Sequence, residues 1–77
     1  MALKPVIYPN PSTGIYSCMQ NNNVLTVNEI IIINSQGIRV GNFNNVNQID
    51  IRNAPAGLYW YKIIVKGEEF NGKLLKL

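Results

Sequence analysis

Apolar and polar residues alternate along most of this chain, and clusters of asparagine, glycine, proline and serine break the alternation at short intervals. A period of two is the mark of β-strands with one buried face, and nowhere does it lengthen to a helical 3.6. The longest alternating run follows the breaker cluster Asn53–Gly57. There Pro55 fixes its own φ and pushes Ala54 towards extended geometry, while Gly57 is free to take the positive φ of a tight corner. Beyond the corner, Tyr59, Tyr61, Ile63 and Val65 fall on one side; Leu58, Trp60, Lys62, Ile64 and Lys66 fall on the other. The first set is wholly apolar or aromatic and the second carries two lysines. The first is therefore predicted to face the core, and the segment to be the central strand.

Taken in order, the other segments read as its partners. Val6-Ile7-Tyr8 is a short apolar step halted by Pro9-Asn10-Pro11-Ser12-Thr13-Gly14. Prolines so close together exclude helix and central strand, so an edge strand and a corner are predicted, with Tyr8 packed beneath. Ile15–Met19 follows as a strand, with Ile15, Ser17 and Met19 on one face and Tyr16 and Cys18 on the other; Gln20–Asn23 is a polar loop. From Leu25 to Ile33 the β-branched run Ile30–Ile33 disfavours helix and predicts a strand covered on both faces near its end. Ser35-Gln36-Gly37 is a hairpin turn, and Ile38-Arg39-Val40 is predicted to return with Ile38 and Val40 inward. Asn42–Asn47 reads as a polar connection, and Ile49-Asp50-Ile51 as a strand with both isoleucines inward. Lys66-Gly67-Glu68 turns the chain into a last segment, Glu69–Leu77, where Asn71-Gly72 is predicted to form a bulge.

The sum is about seven short strands with regular turn signals, an all-β pattern that points to a small antiparallel immunoglobulin-like β-sandwich. The Cys…Trp…Cys hallmark of immunoglobulin domains is missing, and the pattern alone leaves a flattened barrel open.

At 77 residues, 1–77 is expected to be one domain close to the lower limit for an unaided core. A hydrophobic fraction of 47% argues against a disordered tail. Charged residues are only 14%, and uncharged polar loops of this kind suit extracellular proteins. The net charge of +3 comes from scattered bases, whereas a nucleic-acid surface needs them clustered among aromatics. Lys62 and Lys66 beside Trp60 are the nearest approach, and they read more simply as solubilising an outer face; no nucleic-acid partner is expected.

Histidine is absent and Cys18 is the lone cysteine, so no internal disulfide, zinc-finger spacing or Cys-His nucleophile can be built. Cys18 reads as a small buried hydrophobe. No apolar run approaches the ~20 residues of a membrane span, and no signal peptide is visible. Met1-Ala2 reads as an added start, as for a module taken from the end of a larger protein. The adjacent acids Glu68-Glu69 sit at a hairpin and point to opposite faces. No catalytic constellation can be assembled, and neither an enzyme nor a cofactor or metal is expected.

Tyr8-Pro9-Asn10-Pro11 with Gly14, the Asn34-Ser35-Gln36-Gly37 turn before Val40, Ile49-Asp50-Ile51, Pro55-Ala56-Gly57-Leu58-Tyr59 leading to Lys62, and the closing Gly72-Lys73-Leu74 occur in that order. From Val6 to Leu77 this succession resembles the C-terminal sorting domain of proteins exported by the type IX secretion system of Bacteroidota. Trp60 stands where phenylalanine or valine is commoner in that family. The resemblance implies a β-sandwich appended to a secreted cargo that it carries from the periplasm through the outer membrane. It implies as partners the outer-membrane export machinery and a surface protease that removes the domain, leaving cargo released or attached to surface lipopolysaccharide. Cargo and cleavage site would lie upstream of Leu3, and the destination would be the cell surface or the extracellular space.

Carried over residue by residue, the resemblance places recognition at Tyr8, Pro9, Asn10, Pro11, Gly37, Pro55, Gly57, Tyr59, Lys62, Lys73, Leu74 and Lys76. Most of these also have a backbone reason, since the proline and glycine motifs set corners whatever their further use. Lys73 and Lys76 read equally as a solvated face or as part of the export signal. One conceivable mechanism is addition of the last strand to a receptor edge.

A second function class is a carbohydrate-binding sandwich that stacks sugars on Trp60 with Tyr16 or Tyr61. Asp50, Glu68 and Glu69 are not grouped as calcium ligands and lend it no support. A passive spacer is the third. Edge strands and an exposed Trp60 also leave room for a weak homodimer.

Overall fold

The computed structural model describes residues 4–77, so the reading of Met1-Ala2 as an added start lies outside the described residues. Eight strands follow one another: β1 (Val6–Tyr8), β2 (Ile15–Gln20), β3 (Asn23–Val24), β4 (Val27–Asn34), β5 (Arg39–Val46), β6 (Gln48–Asp50), β7 (Gly57–Val65) and β8 (Glu68–Lys76). They form two antiparallel sheets, which decides for a sandwich over a barrel. In one, β2 pairs with β1 along one edge and with β3 and β6 along the other; the second has the order β5-β4-β7-β8.

As the pattern predicts, β7 is central, flanked by β4 and β8. Tyr59, Tyr61, Ile63 and Val65 all face the core. They meet Ile30 and Ile32 from β4, Leu74 from β8, and Ile7, Tyr16, Cys18 and Ile49 from the opposing sheet. Ile31, on the far side of β4, is also buried, so this strand is covered on both faces as expected. Ile49 and Ile51 are inward too. Lys66 and Gly67, both at positive φ, close the β7–β8 hairpin.

Four local expectations are corrected. Ile38 and Val40 are exposed rather than inward. The β4–β5 register shifts between Ile32, which opposes Gly41, and Ile33, which opposes Arg39, so Val40 is the extra residue of an irregularity. Phe43 packs on the core instead, with its ring over Gly41, where an added Cβ would lie 2.8 Å from Phe43 Cε2.

Asn42–Asn47 is not a loop, since Asn42, Asn44 and Val46 continue the β4 pairing. An edge strand meets its hydrogen-bonding needs through backbone, so its outer side chains can be asparagines.

There is no bulge at Asn71-Gly72: pairing runs unbroken from Gly57 opposite Lys76 to Val65 opposite Glu68. Gly72 is required for space, because a Cβ there would come within contact-breaking distance of the Tyr61 ring. Finally, Tyr8 is exposed rather than packed beneath the corner, because strand alternation sends Ile7 inward and its neighbours out.

Candidate recognition site at one end of the sandwich

Asn10 lies in the proline corner, far from the chain end in sequence, yet its side-chain amide pairs with the last strand as a backbone amide would. Its Nδ2 donates to the Lys73 carbonyl at 2.9 Å, and its Oδ1 accepts from the Leu75 amide at 3.0 Å. Ser12 continues the pairing with its own backbone: its amide donates to the Leu75 carbonyl at 3.2 Å, and its carbonyl accepts from the Leu77 amide at 2.8 Å. From within the core, the Tyr16 hydroxyl donates to the same Leu75 carbonyl at 2.6 Å. The edge of β8 from Lys73 to Leu77 is thus fastened by the corner that precedes β2.

Proline on both sides of Asn10 removes backbone donors from the corner, so the side chain does the pairing. The peptide bonds before Pro9 and Pro11 are both cis. Gly14 closes the corner at φ 137°, tight against Arg52, and its carbonyl accepts the Ile51 amide at 2.8 Å.

A second pair of turns sits at the same end. The Asn34 carboxamide oxygen accepts from the amides of Gln36 and Ile38 at 2.9 and 3.0 Å, which shapes the turn that Gly37 completes at φ 83°. Opposite it, the Tyr59 hydroxyl donates back to the Pro55 carbonyl and pins the Pro55–Gly57 corner. This is the device of the immunoglobulin tyrosine corner, a tyrosine at a strand start bonding to backbone just upstream. A cleft of about 190 Å³ between the two turns is lined by Gln36, Val40, Pro55 and Leu58 among others. Register joins the two halves: Asn34 opposes Tyr59, Tyr59 opposes Leu74, and Gly57 opposes Lys76. Lys76 is almost wholly buried, and Gly57 opposite it takes a φ of 146°, where a glycine is favoured.

The structure therefore gathers Pro9, Asn10, Pro11, Gly37, Pro55, Gly57, Tyr59, Lys73, Leu74 and Lys76 at one end. Within that set Tyr59 and Leu74 are core residues that hold the end together from inside. Two expected residues stand apart. Tyr8 projects from the outer side of β1, and Lys62 lies mid-sheet on the outer face of β7, with its Nζ 3.8 Å from Glu69 Oε2. Sequence reasoning did not count Ser12 and Tyr16 among the site residues, and it took Asn34 only as part of the turn motif before Gly37. Tyr16 carried a signal, since an inward tyrosine requires a partner for its hydroxyl. Nothing in the sequence linked Asn10 or Ser12 to residues more than sixty positions away.

The core beneath this end is chemically quiet. Burial pushes the Cys18 thiol up to about 11 and also raises the Tyr61 hydroxyl, on which the Cys18 charge acts in the same direction. Burial raises Tyr16 too, against the opposing pull of its hydrogen bond with Ser12. The sugar-stacking strip is not formed, because Tyr16 and Tyr61 both face the core while Trp60 lies on the opposite side of its sheet.

The fold is thus a small two-sheet β-sandwich whose closing strand is fastened by its own corner, with its turn motifs gathered beside that strand. Residues 6–76 match the secretion system C-terminal sorting domain, and the chain belongs to that family. Membership makes it a type IX secretion sorting signal, which implies engagement with that machinery, an upstream cargo domain, and export across the outer membrane. A search of curated proteins finds no match to the chain.

Proposed function

We propose that residues 1–77 act as one non-catalytic, folded export signal, read at the end of the sandwich where the proline corner clasps the last strand. The clasp carries this reading: Asn10, Ser12 and Tyr16 converge on Lys73–Leu77 and unite the two motif regions that lie farthest apart in the chain. In this reading Pro9, Asn10, Pro11 and Lys73 with the Gly37 and Pro55–Gly57 turns form the recognised end, and Lys76, almost wholly buried, supports it from within. Tyr59 and Leu74 give it shape from inside, and Tyr8 and Lys62 are peripheral. Recognition is by the surface of the folded end. Addition of the last strand to a receptor edge is not available from Lys73 to Leu77, whose outward groups the corner already occupies.

The cargo crosses the periplasm with this domain folded, reaches the surface of a Bacteroidota cell, and loses the domain to a surface protease. The test is a reporter with an ordinary secretory signal and residues 3–77 at its C-terminus, expressed in a type IX-competent strain and in its secretion-deficient mutant. Reporter reaching the surface or medium only in the competent strain is the expected result. Removing Lys73–Leu77 abolishes that export while the reporter stays folded; retention of the intact fusion in both strains would overturn the reading.

A further inference from the structure

The outer face of the β5-β4-β7-β8 sheet is ordered in cross-strand rows, because directly opposed residues share a face. One row runs Arg39–Ile33–Trp60–Lys73 across all four strands. Beside it, towards the clasped end, Leu58 opposes Leu75. Towards the other end the rows turn polar, and Glu29 and Glu69 flank Ile64. Leu58, Trp60 and Leu75 keep 40%, 38% and 41% of their surface exposed, so this apolar patch has no cover within the chain. The ion pairs of the described residues, Arg52–Asp50 and Lys62–Glu69, leave Arg39 and Lys73 without an acidic partner. With strands ~4.8 Å apart, the backbones of these two cations lie about 14 Å from each other on either side of the apolar centre.

We propose that this row is the docking surface for a receptor protein of the export apparatus, one that presents an apolar centre flanked by carboxylates. The proposal rests on the sorting-signal reading and says which face of the domain is read. Charge selects the occupant: the clasped end of the face offers only cations, and the acids of the same face sit at its far end. Aliphatic neighbours favour protein over glycan. Ile33, Leu58 and Leu75 surround Trp60, and the row offers no amide or hydroxyl to bond a sugar ring. The fixed spacing of two cations about an apolar pair is likewise a pattern that a rigid protein surface rewards and a fluid anionic bilayer does not. An exposed tryptophan flanked by a cation is also the composition of an interface anchor.

The experiment uses the reporter fusion and the free domain. Trp60→Ser and the double variant Arg39→Glu/Lys73→Glu are expected to lower export by about tenfold or more, as loss of an interface anchor does. The melting temperature of the double variant should stay near that of the parent domain, since both cations are exposed, while Trp60→Ser, which gives up packed ring surface, is read together with its own melting temperature. Glu29→Gln/Glu69→Gln, at the far end of the same face, should export normally. If the parent fusion is not exported, the sorting reading itself fails. If the parent is exported and both face variants are exported equally well, the docking surface is overturned while the sorting reading stands.

Trp60 is the single tryptophan, so its emission reports on this face. Titration of the free domain with heparin or with phosphatidylglycerol vesicles at physiological salt should leave that emission unchanged. A saturable blue shift with heparin would reassign the row to an anionic glycan, and one with vesicles would reassign it to a membrane surface; either overturns the proposal.

Discussion

Asn10 replaces a stretch of backbone with one side chain, and two hydrogen bonds to Lys73 and Leu75 depend on it. Both are exposed, so the net contribution is that of ordinary hydrogen bonds and not of a buried network. We expect Asn10→Ala to cost about 1 kcal/mol. In a domain of this size that lowers the melting temperature by about 4–8 °C, which thermal unfolding followed by circular dichroism will show. Gly72 makes the opposite case, a residue defined by what it lacks. A methyl there collides with the Tyr61 ring, which is held on the core side, and Gly72→Ala is expected to destabilise by about 1–3 kcal/mol. The cause can be isolated by a double-mutant cycle. In a Tyr61→Leu background the ring is gone, and adding Gly72→Ala should cost little; a penalty that persists undiminished would place the strain elsewhere.

At the scale of elements, the strands legible in the sequence were those with enough apolar residues to bury a face or both faces. The alternation from Leu58 to Val65 gave both the extent and the orientation of β7, and the β-branched run gave the two-sided burial near the end of β4, although that strand starts at Val27 and not at Leu25. β5 was not legible beyond Val40, because an edge strand filled with asparagines satisfies its backbone through β4 and carries no hydrophobic period. The irregularity that turns Val40 outward depends on register, which no local pattern encodes. The clasped end was legible as separate motifs, but the clasp between Asn10 and β8 was not, since a side-chain amide paired with distant backbone leaves no trace in spacing. The corrected orientation has a measurable consequence. Ile30→Ala, which empties a fully buried site between the sheets, should cost about 2–5 kcal/mol, whereas Val40→Thr on the exposed edge should stay within about 0.5 kcal/mol. Urea midpoints of the two variants that fell together would show Val40 to be a core residue after all.

The whole molecule couples these elements to pH in a definite way. The chain has no histidine, so no side chain with an ordinary titration near neutrality changes charge between about pH 5 and 8, and the stability of the core should be flat there. Above that range the core decides. Cys18 is raised from an ordinary value of 9.0 to about 11, and Tyr16 and Tyr61 are raised from 10.0. The unfolded chain therefore releases these protons at lower pH than the folded one, and stability falls as pH rises from about 9 through the folded values. At the acid end Asp50 has the reverse sign. Its hydrogen bonds with Arg52 hold the carboxyl below its ordinary value, so its contribution is present above that value and is lost as pH falls through the folded one.

Urea midpoints should agree at pH 6 and 8 and drop at pH 10.5, and Cys18→Ala should lose less between pH 8 and 10.5 than the parent does. An unchanged parent midpoint at pH 10.5 would mean that the buried thiol and hydroxyls do not stay protonated in the folded state. The same burial predicts that iodoacetamide at pH 8 leaves Cys18 unmodified in the folded domain and alkylates it in urea. For a domain whose export path leads out of the cell, this inertness is useful. A lone reactive thiol in an oxidising compartment would cross-link the signal to its neighbours, and a core that keeps it protonated and covered prevents that.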